Sequence, residues 1–209
     1  MIIIGLTGSI GMGKSIAAGM LERLGVPVHD ADAAVHELLQ PGSAAMPRIM
    51  AAFPPHKFPR LYGTVKGKKL IKRAALGALV FHDPQQKKKL ESILHPLVRK
   101  SQNEFIRKNR KLGKRILALD IPLLFETGAE SRVDYTLVMA APAAVQRKRV
   151  LARRGMTEVK FQAILAQQMP DAEKRARADF VVKSGLGRAH TMRALKTVLQ
   201  AIEKREKKR

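Results

Sequence analysis

The run Gly8-Ser9-Ile10-Gly11-Met12-Gly13-Lys14-Ser15 constrains this chain more than any other feature. It fits G-x-x-x-x-G-K-[ST] without a gap, and each residue type in it has a task. The glycines let backbone N–H groups turn inward around phosphate oxygens, where a Cβ would obstruct them. Lys14 has the reach for the β- and γ-phosphates of a nucleotide, and the Ser15 hydroxyl suits Mg²⁺. The flanks agree. Ile2-Ile3-Ile4 is an apolar, β-branched run expected as a strand buried on both faces. Residues 14 to about 24 place Ala17, Met20, Leu21 and Leu24 on one helical face. That helix adds its positive N-terminal end to the anion site. The plain alternative is a glycine-rich turn without chemistry. A dinucleotide fingerprint fails, because Ile16 stands where its third glycine belongs. The stretch reads as a nucleoside triphosphate site.

Gly25-Val26-Pro27 ends this helix, and a short second strand starts at Val28. Apolar runs at 116–119, ending in Asp120, at 135–139 and at 180–182 repeat the strand pattern, with helical patterns between them. Strands alternating with helices predict a central parallel sheet with helices on both faces, a three-layer α/β core. Residues 42–113 differ. No strand is expected there; helical spacing over 74–81 and 85–111, interrupted near His95-Pro96, surrounds a loop at 54–69. A second helical excursion, 145–178, separates the fourth and fifth strands. One domain is expected: a nucleotide core of about 1–41, 114–144 and 179–209, a helical insert of about 42–113 and a lid of about 145–178.

The chain has 209 residues, 40 Lys+Arg against 17 Asp+Glu, and a net charge of +23. Such a balance raises an anionic partner: nucleic acid, a membrane surface or a polyanionic metabolite. The excess is uneven, with −1 over residues 1–50, +15 over 51–115 and +9 over the rest, ending in the basic run 204–209. Nucleic acid as the main partner is disfavoured, since no recognition motif is found and aromatics are 4%, two Tyr and seven Phe. The tail lacks a strong apolar face, so no membrane role is expected. Zero Cys excludes disulfides, thiolate zinc sites and cysteine nucleophiles. With no export signal read, the expected location is cytoplasmic, and a monomer is expected rather than a stable oligomer.

Beyond the loop, Asp30 and Asp32 follow the second strand at the end that carries ligand sites in parallel sheets. A carboxylate there suits the proton of an acceptor hydroxyl. Either one also suits the cap of a helix expected near Ala33. Asp120 ends a hydrophobic strand, as an acid holding Mg²⁺ through water does; its plain alternative is a strand-end turn residue. Arg149 and Arg153 are four apart, so a helix points them the same way. Arginines on a closing lid would stabilise charge on a transferring phosphoryl group, against the alternative of a solvated basic face.

Six segments together resemble the dephospho-CoA kinase family over nearly the full length. They are Gly5-Leu6-Thr7 with the loop, His29-Asp30-Ala31-Asp32, Leu94-His95-Pro96-Leu97-Val98, Asp120-Ile121-Pro122-Leu123-Leu124-Phe125-Glu126, the stretch 146–153, and Ala178-Asp179-Phe180-Val181-Val182. The resemblance implies a P-loop NTPase fold with a helical substrate-binding insert and a helical lid. It implies ATP and dephospho-CoA as substrates, Mg²⁺ as cofactor, and phosphorylation of the ribose 3′-hydroxyl. It favours Asp32 over Asp30 as the base. It implies catalytic roles for Lys14 and Arg149, and ATP binding by Gly8, Gly11, Met12, Gly13, Lys14, Ser15, Ile16, Arg149 and Arg153. Arg73, His95, Pro96 and Glu126 would meet the acceptor with Asp32, and Ser15 with Asp120 the metal. The competing class is another P-loop small-molecule kinase. Three positions depart from the family pattern. Ile16 replaces a threonine, a hydroxyl worth on the order of 1 kcal/mol to nucleotide binding. Lys72 stands before Arg73 in place of Asp or Asn, and Lys183-Ser184-Gly185 replaces an acidic residue or Asn before the late glycine.

Overall fold

The computed structural model describes residues 1–65 and 67–207. Lys66 in the 54–69 loop, and Lys208 and Arg209 of the basic tail, lie outside the described residues. The chain forms two compact units, one of residues 1–30 with 108–209 and one of residues 31–107.

In the first unit, strands β1 (Ile2–Thr7), β2 (Val28–Asp30), β5 (Ile116–Asp120), β6 (Tyr135–Ala140) and β7 (Phe180–Lys183) form one sheet in the order β2-β5-β1-β6-β7. All pairings are parallel. The central strands are mostly apolar because both faces are covered, with Thr7, Asp120 and Thr136 as their buried polar residues. Leu137 and Met139 face the cluster that holds Ile4, Leu6 and the inward sides of α1 (Lys14–Arg23) and α9 (Arg188–Glu206). Val138, between them, faces Leu124 and Phe125 on the other side. That alternation within one strand is the period of two that sorts side chains into layers. Helix α1 buries Ala17, Met20 and Leu21, and the Gly25 and Val26 amides close it by bonding back to the Glu22 and Leu21 carbonyls. Between β6 and β7 lie α6 (Ala143–Leu151), α7 (Glu158–Leu165) and α8 (Asp171–Arg177).

The second unit contains α2 (Ala31–Leu38), α3 (Met46–Ala52), β3 (Tyr62–Val65), β4 (Lys68–Ile71), α4 (Arg73–His82) and most of α5 (Pro84–Lys111). Its core gathers Ile49, Phe53, Leu61, Tyr62, Ile71, Leu76, Leu90 and Leu94. The Tyr62 hydroxyl donates to the Phe53 carbonyl at 2.5 Å, and burial raises the phenol's pKa. Two expectations change here. Strands β3 and β4 form an antiparallel hairpin where none was expected, with Tyr62 opposite Ile71. Both ends of that pair point into the core, which supplies the stability a short hairpin lacks alone. Helix α5 also continues through Pro96 without a break. Proline forfeits one ladder bond and crowds the preceding turn, and burial of Leu90 and Leu94 on the same helix offsets this.

Candidate active site

The loop after β1 wraps back on itself at the carboxyl edge of the sheet. The Met12 amide bonds to the Ser9 carbonyl at 3.1 Å, and the Ala17 amide to the Gly13 carbonyl starts α1. Gly11 and Gly13 have φ of 79° and 89°. A Cβ on Gly11 would lie 2.6 Å from Val150 Cγ2, and one on Gly13 would lie 2.9 Å from Ser184 Oγ. Conformation and crowding both demand glycine there. Gly8 is held as closely, since its Cβ would lie 2.7 Å from the Met139 carbonyl. Met12 is buried, and its sulfur accepts from the Ala141 amide. Ser15 and Ile16 are exposed on the first turn of α1.

Sheet register gathers the acids. Asp120 lies opposite Leu6 on one side and opposite Asp30 on the other, so Asp120 ends the strand next to β1 and Asp30 ends the strand beyond it. The Lys14 ammonium lies 2.5 Å from Asp120 Oδ1, with the aspartate side chain 3% exposed. Asp32 falls in the first turn of α2, which begins at Ala31 and not near Ala33.

Arg149, on α6, reaches the loop: Nη1 donates to Ser184 Oγ at 2.8 Å and to the Gly11 carbonyl at 3.3 Å, and Nη2 donates to the Ser184 carbonyl at 2.9 Å. Arg153 does not share its helical face, because α6 ends at Leu151 and Arg153 lies exposed in the following turn. Gly155 turns the chain there, and Thr157 caps α7 by accepting from the Lys160 amide. Glu158 at the start of α7 accepts from Gln162 and pairs with Arg147; these contacts hold its carboxyl below the usual range.

Glu126 is engaged inside the protein. Its Oε1 pairs with Lys174 Nζ at 2.8 Å, a lysine with no exposed side-chain surface, and accepts from the Met169 amide at 2.9 Å. Two glutamines absent from the candidate residues bracket Ile10: Gln168 Oε1 accepts from its amide at 3.1 Å, and Gln146 Nε2 donates to its carbonyl at 2.8 Å. Gln146 sits in a basic helix and Gln168 in the bend after α7, and neither setting signals in the sequence where the amide goes.

In the second unit, Arg73 opens α4 beside Lys72, and both are exposed. His95 and Pro96 line a groove of about 730 Å³ along one face of α5, with Arg99, Lys100 and Arg107 further along it. No helix among the described residues is long and apolar enough to cross a membrane.

A glycine loop between a buried parallel strand and a helix, with its lysine against a strand-end carboxylate, places the chain in the P-loop class of nucleotide-binding proteins. The family model for dephospho-CoA kinase matches residues 2–187. The chain belongs to the dephospho-CoA kinase family, whose reaction is ATP-dependent phosphorylation of dephospho-CoA, the last step of coenzyme A synthesis. It is 53% identical to a dephospho-CoA kinase of Mesorhizobium japonicum over 90% of this chain and 89% of that one. Against one from Rhodopseudomonas palustris the identity is 46% over the full length of both. Among solved structures, a dephospho-CoA kinase from Campylobacter jejuni is 29% identical over 98% of each chain, with a TM-score of 0.68. The Thermus thermophilus protein TT1252 is 36% identical over 96% of each chain, with a TM-score of 0.78.

Proposed function

We propose that this chain transfers the terminal phosphoryl group of ATP to the ribose 3′-hydroxyl of dephospho-CoA at the carboxyl edge of β1 and β5, with Asp32 as the base. The observation that carries this reading is Lys14, fixed at that edge by Asp120 immediately beyond a glycine loop. In the reaction the acceptor oxygen bonds to the γ-phosphorus, the bond to the β–γ bridging oxygen breaks, and ADP leaves. Asp32 takes the proton of the hydroxyl. Lys14 and the loop amides hold the triphosphate, and Arg149 offsets charge that spreads over the equatorial oxygens.

The donor set suits Mg²⁺, a hard cation that takes one or two protein oxygens and completes its shell with phosphate and water. Ser15 and Asp120 would hold it. Among the described residues no group of three or more His, Cys, Asp or Glu side chains forms a denser metal site, and Mg²⁺ at a phosphate needs none. When bound, the ion neutralises phosphate charge. Lys72 and Arg73 at the positive end of α4 repel its dipole, a placement an incoming anion offsets. Arg73, with His95 and Pro96 on the α5 groove, is the acceptor-binding set of this reading. We place the enzyme in the cytoplasm, acting as a monomer without a specific nucleic-acid partner.

Comparing Asp32→Asn with Asp30→Asn tests the base. Asp32→Asn should lower kcat by about 100-fold or more while the KM for dephospho-CoA stays close to wild type. A near-normal rate for Asp32→Asn with a large loss for Asp30→Asn would transfer the role to Asp30.

A further inference from the structure

Ser184, the first residue after β7, is 7% exposed and binds two elements at once. Its hydroxyl donates to the Met12 carbonyl at 2.7 Å and accepts from Arg149 Nη1 at 2.8 Å. Its carbonyl accepts from Arg149 Nη2 at 2.9 Å. A serine hydroxyl has one proton to give, and here it goes to the loop; the lone pairs on the other side receive the guanidinium. The same hydroxyl oxygen lies 2.9 Å from where a Gly13 Cβ would stand, and Arg149 Nη1 lies 3.6 Å from that point. Serine, arginine and glycine loop are therefore one packed group. Each acceptor that Arg149 has in this group is a neutral oxygen: the Ser184 hydroxyl, the Ser184 carbonyl and the Gly11 carbonyl. Among the described residues no carboxylate pairs with the guanidinium to cancel its charge.

We propose that Ser184 is a positioning residue for the nucleotide, locking Arg149 against the glycine loop so that its uncancelled charge meets the phosphates of ATP. The inference rests on the reading of residues 8–15 as a triphosphate cradle. Neither partner of the lock is adjacent in sequence: Ser184 lies 35 residues from Arg149 and 172 from Met12. Arg149 touches the loop directly at the Gly11 carbonyl, and a residue outside its own helix holds the rest of its guanidinium there. Alanine at 184 would keep the carbonyl contact to Nη2 and remove both hydroxyl bonds. The guanidinium would lose its direction but not its presence.

The test is a double-mutant cycle on ATP affinity, measured by titration calorimetry without acceptor, using wild type, Ser184→Ala, Arg149→Ala and the double variant. Ser184→Ala should weaken ATP binding about fivefold in the wild-type background and less than about twofold once Arg149 is alanine. The KM for dephospho-CoA should stay within about twofold of wild type, which a general loss of structure would not allow. Unchanged ATP affinity in Ser184→Ala, or losses that multiply in the double variant, would overturn the positioning role. A wild-type protein that binds no ATP and phosphorylates no dephospho-CoA would overturn the cradle reading itself. A wild type that does both, with an indifferent Ser184→Ala, overturns the positioning role alone.

Discussion

The ammonium of Lys14 lies 2.5 Å from Asp120 Oδ1, joining the lysine of the phosphate motif to the end of the neighbouring strand. The two are 106 residues apart, and the parallel register of β1 with β5 brings them together. This pair holds the lysine at the end of β5, on the carboxyl edge of the sheet. Lys14→Ala should lower kcat/KM for ATP by about 100-fold or more, because an oriented cation is lost where charge develops. It should also cost about 1–3 kcal/mol of stability, since a carboxylate 3% exposed loses its cation. Steady-state kinetics and urea unfolding measure the two effects separately.

The ion pair of Lys174 with Glu126 ties α8 to the segment after β5. Lys174→Met should destabilise the protein by about 3–5 kcal/mol, because Glu126 is left charged and largely buried. Adding Glu126→Gln should recover part of the loss, since the unpaired charge is then gone. Urea unfolding of the two variants decides this, and a double variant no more stable than Lys174→Met would show that the pair does not act as a unit.

Glu158 joins α7 to α6, and hydrogen bonds from Gln162 and Arg147 lower its pKa below the ordinary 4.5. A lowered folded-state value means its contribution is complete above the unfolded carboxylate pKa and is lost as pH falls through the folded one. Amides at the start of α7 should therefore exchange hydrogen faster at pH 3.5 than at pH 6 relative to the unfolded-chain rate, at about 25 °C. Glu158→Gln should abolish that difference.

The +15 of residues 51–115 predicts weak, charge-driven binding of RNA at low salt. Without a recognition motif or stacking aromatics to add a salt-independent component, the binding should vanish by about 0.15 M salt. A fluorescence anisotropy titration with RNA oligonucleotides across ionic strengths measures this; retention of one preferred sequence at physiological salt would identify a second partner.

The phosphate loop and its flanking strand and helix were legible because each residue type there does a local job: glycine for close approach, lysine for charge, apolar runs for burial. The five strands of the sheet were legible for the same reason. The β3–β4 hairpin was not, since Tyr62-Gly63-Thr64-Val65 and Lys68-Lys69-Leu70-Ile71 are short and rich in lysine and glycine. What marks them as strands is the pair Tyr62 and Ile71 meeting in a core assembled from distant segments. Pro96 misled for the opposite reason, because a local helix-breaking preference gave way to packing of the helix around it. Site contacts carried over long separations were the least legible. Lys174 sits in Ala172-Glu173-Lys174-Arg175-Ala176-Arg177, whose run of charges gives no sign of burial, yet it is fully buried against Glu126. Ser184 showed in the sequence only as a departure from a pattern; its hydrogen bonds to Met12 and Arg149 give that departure a structural role.

The direct test of the reaction incubates the purified protein with ATP, Mg²⁺ and dephospho-CoA, follows ADP release by a coupled assay, and identifies the product by mass and by the position of the new phosphate. Stoichiometric ADP and coenzyme A phosphorylated at the ribose 3′-oxygen are expected, with Lys14→Ala and Asp32→Asn both nearly inactive. No turnover of dephospho-CoA alongside robust phosphorylation of another alcohol, or a Lys14→Ala enzyme of normal rate, would contradict the proposed reaction.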